Sequence, residues 1–411
     1  MADTNLTSVA GILKRQYDDY VESQQNLKHH TIDKFGKSLA KYNAGGEGFF
    51  GAADTYGNES VGAINEDETF RTIDSEKYLQ WKVIPKINIA PIQFSGLVAK
   101  AADSDSEAFA AAVVDALDKA RERILKDENR QFFGQGTGVL CSPNAATASN
   151  VISMTVSTAQ YLRANMVVDI FTSAGGAAVS ASVASLRISD VDKVNNLVYF
   201  ASSLQYSLAT TNVIGKENIF DSMPSDGKEM MGLRGIVDDS TDLTTFQNLD
   251  ATAIGQLIWR SRRIDASSAN LTSDLLQRLI DDVRVLGGEE PDTILMHPLQ
   301  RRKYLDIVMP QRRYADGKMD AGFSGLTFNG LELLLDEDCQ NNVVYAVKKS
   351  LIRKFEVAPM EMGTHDGSDV FLRLSNKDQF QAYWRHYANM GTSKRTAHGK
   401  IVSLATPTGV A

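Results

Sequence analysis

One stretch constrains this chain more than any other. Ser104 to Gly138, SDSEAFAAAVVDALDKARERILKDENRQFFGQGTG, reads as a single long helix with a glycine-rich stop. Apolar residues at Phe109, Val113, Ala116, Leu117, Ala120, Ile124 and Phe132 recur mostly three or four apart, which draws one stripe along a helix face. Ser104 and Glu107 form a capping box for the first-turn amides. Arg123, Lys126 and Arg130 near the far end suit the helix dipole, and Gly134 supplies the stop. The expected helix, residues 104–133, runs about 28 residues or about 42 Å, against about 12 residues for an ordinary one. A strut of that length spans a whole domain and points to a structural part before it points to a catalyst.

The 411 residues divide into two or three domains of normal size. No run of about 18 apolar residues marks a transmembrane helix, and the opening MADTNLTSVAG lacks the charged start and apolar core of a secretory signal. Cys141 and Cys339 stand far apart, so neither a disulfide framework nor a zinc site is read from them, and both are expected as reduced thiols. The net charge of −8 argues against a tight grip on nucleic acid. Its distribution is uneven. Residues 44–80 hold eight acids (Glu47, Asp54, Glu59, Glu66, Asp67, Glu68, Asp74, Glu76) against Arg71 and Lys77, whereas residues 340–411 hold ten bases and five acids. Two such segments either attract one another between copies or form separate solvated surfaces.

Residues 1–43 read as an arm, extended or partly helical around Ile12, Tyr17, Tyr20 and Val21. Residues 44–80, rich in glycine and acids, read as a long flexible loop or hairpin. Tyr78 to Val98 has the β-branched character of a strand, interrupted at Pro85 and Pro91. After the long helix, residues 81–138 being one unit with it, the composition shifts: residues 139–231 carry only 12 charges in 93 residues. Short β-type runs recur there at 151–156, 166–171, 177–183, 186–191 and 197–200, with turn signals at Gly175-Gly176 and Asn195-Asn196. This segment is expected as an inserted all-β, barrel-like domain.

From Gly232 the pattern is mixed. Helices are expected over 252–263 and 273–286, the second ended by Gly287-Gly288. A short buried strand at 293–296 is followed by a helix opening at Pro298. Asn329-Gly330, between 326–328 and 331–335, is the strongest hairpin signal in the chain. Further strands are expected at 343–347, 370–374, 380–387 and 400–404. Helices and strands alternate without a βαβ rhythm, so the class is α+β, divided into 232–340 and a final 341–411.

This order resembles the major capsid proteins of tailed bacteriophages with the Hong Kong 97-type shell fold. The pieces that carry the resemblance are the arm, the glycine-rich loop, the long helix ending in GQGTG, the resumption at GLRGIVDD, and then DLLQRLIDDVRVLGGEEPDTILMHPLQRRKYLDIV and GLTFNGLELLLDEDCQNNVVYAVKKSLIRKFE. Only 139–231 stands outside it. The resemblance implies a structural shell subunit, with a peripheral domain carrying the spine helix, an axial domain over most of 232–340, strands of both in 341–411, and an extended loop at 44–80 reaching over a neighbour. It implies hexamers and pentamers closing an icosahedral head around double-stranded DNA, with a portal, a separate scaffold protein and in some cases a decoration protein. It implies a virion component assembled in host cytoplasm, with no membrane. A cellular nanocompartment shell of the same fold is the alternative. Some relatives crosslink a loop lysine to a neighbour; Lys77, the only lysine between Lys41 and Lys82, lies away from the loop tip, so no such crosslink is expected.

Catalytic, cofactor and metal chemistry has little to stand on. Gly134, Gly136 and Gly138 give G-x-G-x-G, but after a helix instead of after a strand, so a nucleotide-binding enzyme is the remote reading. His29-His30 are adjacent and do not share a helix face. Asp336-Glu337-Asp338 opens like a calcium loop, yet Asn341 and Val347 stand where glycine and glutamate are needed, so it reads as a turn. Ser324 in GFSGL is not a nucleophile elbow. The candidate functional residues are therefore intersubunit contacts: Glu47, Asp54, Glu59, Glu66, Asp67 and Glu68 on the loop, and Arg301, Arg302, Arg312 and Arg313 facing either packaged DNA or a neighbour's acidic loop.

Overall fold

The computed structural model describes residues 31–38, 42, 46–73, 75–95, 106–144, 150–154, 159–174, 176, 184–202, 204, 208–221, 223–224, 227–312, 327–363, 372–374 and 377–406. Phe49–Tyr56 (β1) and Lys77–Val83 (β2) pair antiparallel, with Phe49 opposite Val83 and Asp54 opposite Tyr78. The glycine-rich segment is thus a hairpin that carries residues 57–76 beyond its ladder. The chain breaks at Ile84-Pro85, then runs as Lys86–Ser95 (β3). Pro91 does not interrupt that strand: it lies inside it, opposite Tyr383. It is tolerated because β3 is an edge strand, whose outer side needs no amide donor.

The long helix forms as Ser106–Phe132 (α1), 27 residues. Ser104 of the expected capping box lies outside the described residues. The helix stops where the amides of Phe133 and Gly134 fold back to the carbonyls of Arg130 (3.1 Å) and Gln131 (2.8 Å).

Six short strands follow: Val139–Cys141 (β4), Val151–Ser153 (β5), Val167–Phe171 (β6), Leu186–Asp192 (β7), Leu197–Phe200 (β8) and Val213–Lys216 (β9). They order as β4-β9-β6-β7-β8-β5, and an antiparallel bridge between Pro143 and Met154 joins the two ends of that order. The sheet closes on its own core, which includes Leu140, Ile152, Leu162, Ile170, Ile188 and Ile214. Strands β4 and β9 were not among the expected runs. The expected run at 177–183 lies outside the described residues.

A one-turn helix Leu233–Ile236 (α2) leads into the hairpin Thr245–Phe246 (β10) and Leu249–Asp250 (β11). The helix expected over 252–263 does not form. Residues 251–258 make successive turns, with amides of Ala253, Gln256 and Trp259 bonding three residues back, and Arg262–Asp265 is a strand (β12). The reasons are local. Asp250 Oδ1 takes the Thr252 amide at 2.8 Å, and Gly255 sits at φ +89. Ile254, inside the expected helix, is 98% exposed.

Ser273–Gly287 (α3) forms as expected. Thr272 caps it by accepting the Leu275 amide, Gly288 ends it at φ +65, and Leu276, Leu279, Ile280 and Val283 bury one face. Then come Thr293–Met296 (β13), Pro298–Arg312 (α4), Thr327–Phe328 (β14), Leu331–Leu335 (β15), Val344–Val347 (β16), Ile352–Met362 (β17), Leu372–Arg373 (β18), Gln379–Thr392 (β19) and Gly399–Val402 (β20). Asn329 (φ +50) and Gly330 (φ +82) make the turn between β14 and β15. Strand β17 is absent from the sequence reading.

Two sheets organise this half. One orders β12-β20-β16-β13-β15-β14 with all four residues of β13 buried. It contains a parallel crossover from β13 through α4 to β15 and a parallel β12–β20 pair, so it is mixed. The other places β17 and β18 along one side of β19 and β3 along the other. Helix α1 lies against that second sheet, and the Trp384 indole donates to the Leu117 carbonyl at 3.0 Å. A core spanning Ile32, Phe35, Phe49, Trp81, Phe132, Phe133 and Tyr345 welds arm, hairpin base, helix end and first sheet together. No helix among the described residues is long and apolar enough to cross a membrane.

Candidate functional site

The last two turns of α1 spell Lys-Asp-Glu-Asn-Arg-Gln, residues 126–131, and each of these side chains reaches a different part of the molecule. Lys126 pairs with Asp338 at 2.9 Å. Asp127 takes Lys216 of β9 at 2.6 Å and Arg130 at 2.9 Å, and these two cations hold its carboxyl well below the usual range against the opposing effect of burial. Glu128, 0% exposed, accepts from His386 of β19 at 2.6 Å and from Asn88 of β3 at 3.2 Å. Asn129 accepts the arm amides of Thr31 (2.7 Å) and Ile32 (3.2 Å) and donates to Asp336 (3.0 Å) and Asp338 (2.7 Å). Arg130 also pairs with Glu229. Gln131 accepts the Met230 amide at 2.9 Å and donates to Asn88 at 3.2 Å.

This hub closes a second ring on the sheet. His386 Nε2 lies 3.3 Å from Glu356, which also takes Lys354 at 2.9 Å and Lys37 of the arm at 2.6 Å. Burial alone lowers the pKa of His386, but the bonds to Glu128 and Glu356 outweigh it and leave the value raised above 6.5. The arm adds a short parallel bridge: the Ser38 amide bonds the Lys354 carbonyl at 2.8 Å and the Lys354 amide bonds Gly36 at 3.0 Å. The Asp336–Asp338 turn is therefore a seat for the spine helix. Burial leads the causes that raise the Asp336 pKa, and Asp338 adds to it. Among the described residues no group of three or more His, Cys, Asp or Glu side chains is arranged to hold a metal.

The outer face of the same sheet is inverted relative to a soluble protein. On β3 the polar Lys86 and Asn88 point inward and are buried, whereas Ile87 and Ile89 are 60% and 54% exposed. Their cross-strand partners on β19 are Tyr387 and Arg385. The hairpin loop is similarly dressed: Val61, Phe70 and Ile73 are each over 80% exposed. Exposed apolar groups in such numbers on neighbouring elements mark an interaction surface.

The acidic candidates all sit on this hairpin. Glu47 precedes β1, Asp54 is on it, and Glu59, Glu66, Asp67 and Glu68 lie in the loop beyond; all six are exposed. Lys77 stands at the neck of the loop, opposite Tyr56. On α4, Arg301 is half-buried and Arg302 exposed. Arg312 is the last helical residue, and Arg313 lies outside the described residues, as do His29, His30 and Ser324. Within one chain no bond joins the acidic and basic groups among the described residues. The GQGTG turn is the exit of α1, with Gly136 and Gly138 at φ +79 and +77.

Comparison with solved structures decides the fold. Over 98% of this chain and 100% of the other, the structure matches a chain of the capsid asymmetric unit of cyanophage A-1(L), at a TM-score of 0.59 and 9% identity. The chain has a Hong Kong 97-type shell fold. Weaker likenesses are a chain of the capsid of an empty GTA particle (TM-score 0.49, 8% identity, 96% of each chain) and one from Mycobacterium phage Bobi (0.47, 11%, 98% and 99%). No family model and no curated protein matches the sequence. Helix α1 and the β1–β2 hairpin are the elements expected from the sequence as spine helix and extended loop. The hub at 126–131 was not foreseen: a run of six polar residues at a helix end reads as a solvated face unless the buried partners, over 200 residues away for Asp336, are known.

Proposed function

We propose that the chain is a structural shell subunit, copies of which close an icosahedral head around double-stranded DNA as a component of a virion, without a catalytic step. The observation that carries this reading is the coincidence of an end-to-end shell fold with a projecting hairpin whose Val61, Phe70 and Ile73 are left in water by their own chain. The peripheral domain comprises α1 and the β17–β19–β3 sheet; the axial domain comprises the mixed sheet with α3 and α4; residues 139–231 form the inserted barrel, projecting from the outer surface and adding contacts. The hairpin reaches over a neighbouring copy. Hexamers and pentamers form in host cytoplasm on a separate scaffold protein, with a portal at one vertex and a decoration protein as a further partner.

Negative-stain microscopy of the purified full chain tests this. Closed shells or capsomers are expected, and a monodisperse monomer at high concentration overturns it. Deleting 140–231 should weaken or abolish shells; normal, stable shells would remove the barrel from the contact scheme.

A further inference from the structure

We infer that Arg234 and Arg263 form a receptor for a carboxylate carried by the acidic hairpin loop of a neighbouring copy, an inference that rests on the shell reading above. Arg234 comes from α2 and Arg263 from β12. Both line one cavity of about 170 Å³ that also contains Asp242, Gln340, Lys400 and Ser403. Neither guanidinium is hydrogen-bonded to a carboxylate among the described residues. Arg234 Nε stands 3.8 Å from Asp242, and Arg263 Nη2 stands 3.9 Å from Asp265, both beyond bonding distance. Arg263 Nε is buried with no acceptor at all.

The one acid lining the cavity, Asp242, is hydrogen-bonded to Lys400 and neutralises the two arginines only at longer range. Lys400, 1% exposed, holds Asp238 at 2.8 Å and Asp242 at 3.0 Å. What remains open in the cavity is a pair of forked donors, always charged, whose geometry matches a carboxylate bidentately. The space admits an Asp or Glu side chain and is too small for a nucleic-acid strand.

The loop supplies the complement. Glu59, Glu66, Asp67 and Glu68 are exposed and have no ion-pair partner in their own chain among the described residues. A chain with unpaired acids on a projecting loop and under-bonded arginines in a cleft is complementary to a second copy of itself. Such a contact is heterologous, each copy giving its loop and receiving another's, which is the kind that closes rings.

The test uses shells assembled from an equal mixture of light and heavy isotope-labelled full chains carrying Arg263→Lys, treated with a carbodiimide that joins carboxylates to amines. The expected result is a mixed-isotope peptide linking position 263 to an acid within 47–76. Shells without such a link, or with links only inside one isotope, overturn the inference while leaving the shell reading standing. In a second arm, Arg234→Glu with Arg263→Glu should cut the assembled fraction at least about tenfold, and Glu66→Lys, Asp67→Lys and Glu68→Lys together should restore it. Lack of restoration in folded subunits counts against it, and the crosslinking arm decides alone if the reversed arginines prevent folding. Failure of the unmodified chain to assemble overturns the shell reading, and this inference with it.

Discussion

His386 and Glu128 face each other at 2.6 Å between the sheet and the spine helix, both shielded from water, and Glu356 closes the far side of the imidazole at 3.3 Å. Lys354 and Lys37 are the other charges on this group. The His386 pKa is raised above 6.5 in the folded chain, so its contribution is complete below pH 6.5 and is lost as pH rises through the folded value. His398 acts in the opposite sense: burial holds it neutral with a pKa of about 3, so its contribution is present above pH 6.5 and fades as pH falls. Comparing a variant with the parent isolates His386. His386→Gln should lower unfolding stability by about 3 kcal/mol at pH 6 and by clearly less at pH 9. Equal losses at both pH values in thermal melts would show that the histidine acts by shape alone.

Asn129 is the amide that holds the arm. Its Oδ1 takes two arm amides and its Nδ2 separates the Asp336 and Asp338 carboxylates. Asn129→Ala takes the acceptor from the Thr31 and Ile32 amides and one donor from each carboxylate, at a cost of about 2–4 kcal/mol. Limited proteolysis should then cut within 31–38 well before the rest of the chain. Asn129→Asp adds a third carboxylate to the group and should be worse; an arm still protected in both variants would disprove this role.

Gly232 lies where the chain returns from the barrel to the end of α1. A methyl group there would stand 2.2 Å from the Gln131 carbonyl oxygen and 2.5 Å from that of Phe132. The atoms met are backbone at the end of α1, which has no room to give, so Gly232→Ala should destabilise by more than about 2 kcal/mol. A melting temperature within a degree of the parent, at roughly the precision of such scans, would contradict it.

Ile87 and Ile89 are more than half exposed in the single chain. Ile87→Ser with Ile89→Ser should leave the subunit's melting curve within about 0.5 kcal/mol yet reduce assembled particles in gradient sedimentation. Unchanged particle yield would mean this face stays in solvent in the shell.

Local signals were legible wherever a few neighbouring residues decide the outcome. The spine helix, α3 with its glycine stop, the Asn329-Gly330 turn and Pro298 at a helix start all follow from periodicity and backbone preference. The expectation failed at 252–263, where Asp250 and Gly255 formed turns and left Ile254 in solvent. Strand β17 was missed because its alternation mixes charge into buried positions: Lys354 faces inward to meet Glu356 and Glu128.

By itself the sequence determined the α+β class, the long helix and the low charge of the β-rich segment, because these rest on patterns within one stretch of chain. Only the tertiary structure decided that residues 126–131 are a buried hub, that β3 buries Lys86 and Asn88 while exposing Ile87 and Ile89, and that Arg234 and Arg263 line one cavity. Burial and pairing depend on which distant residue supplies the partner. Glu128 is charged and inside because His386, 258 positions later, arrives against it.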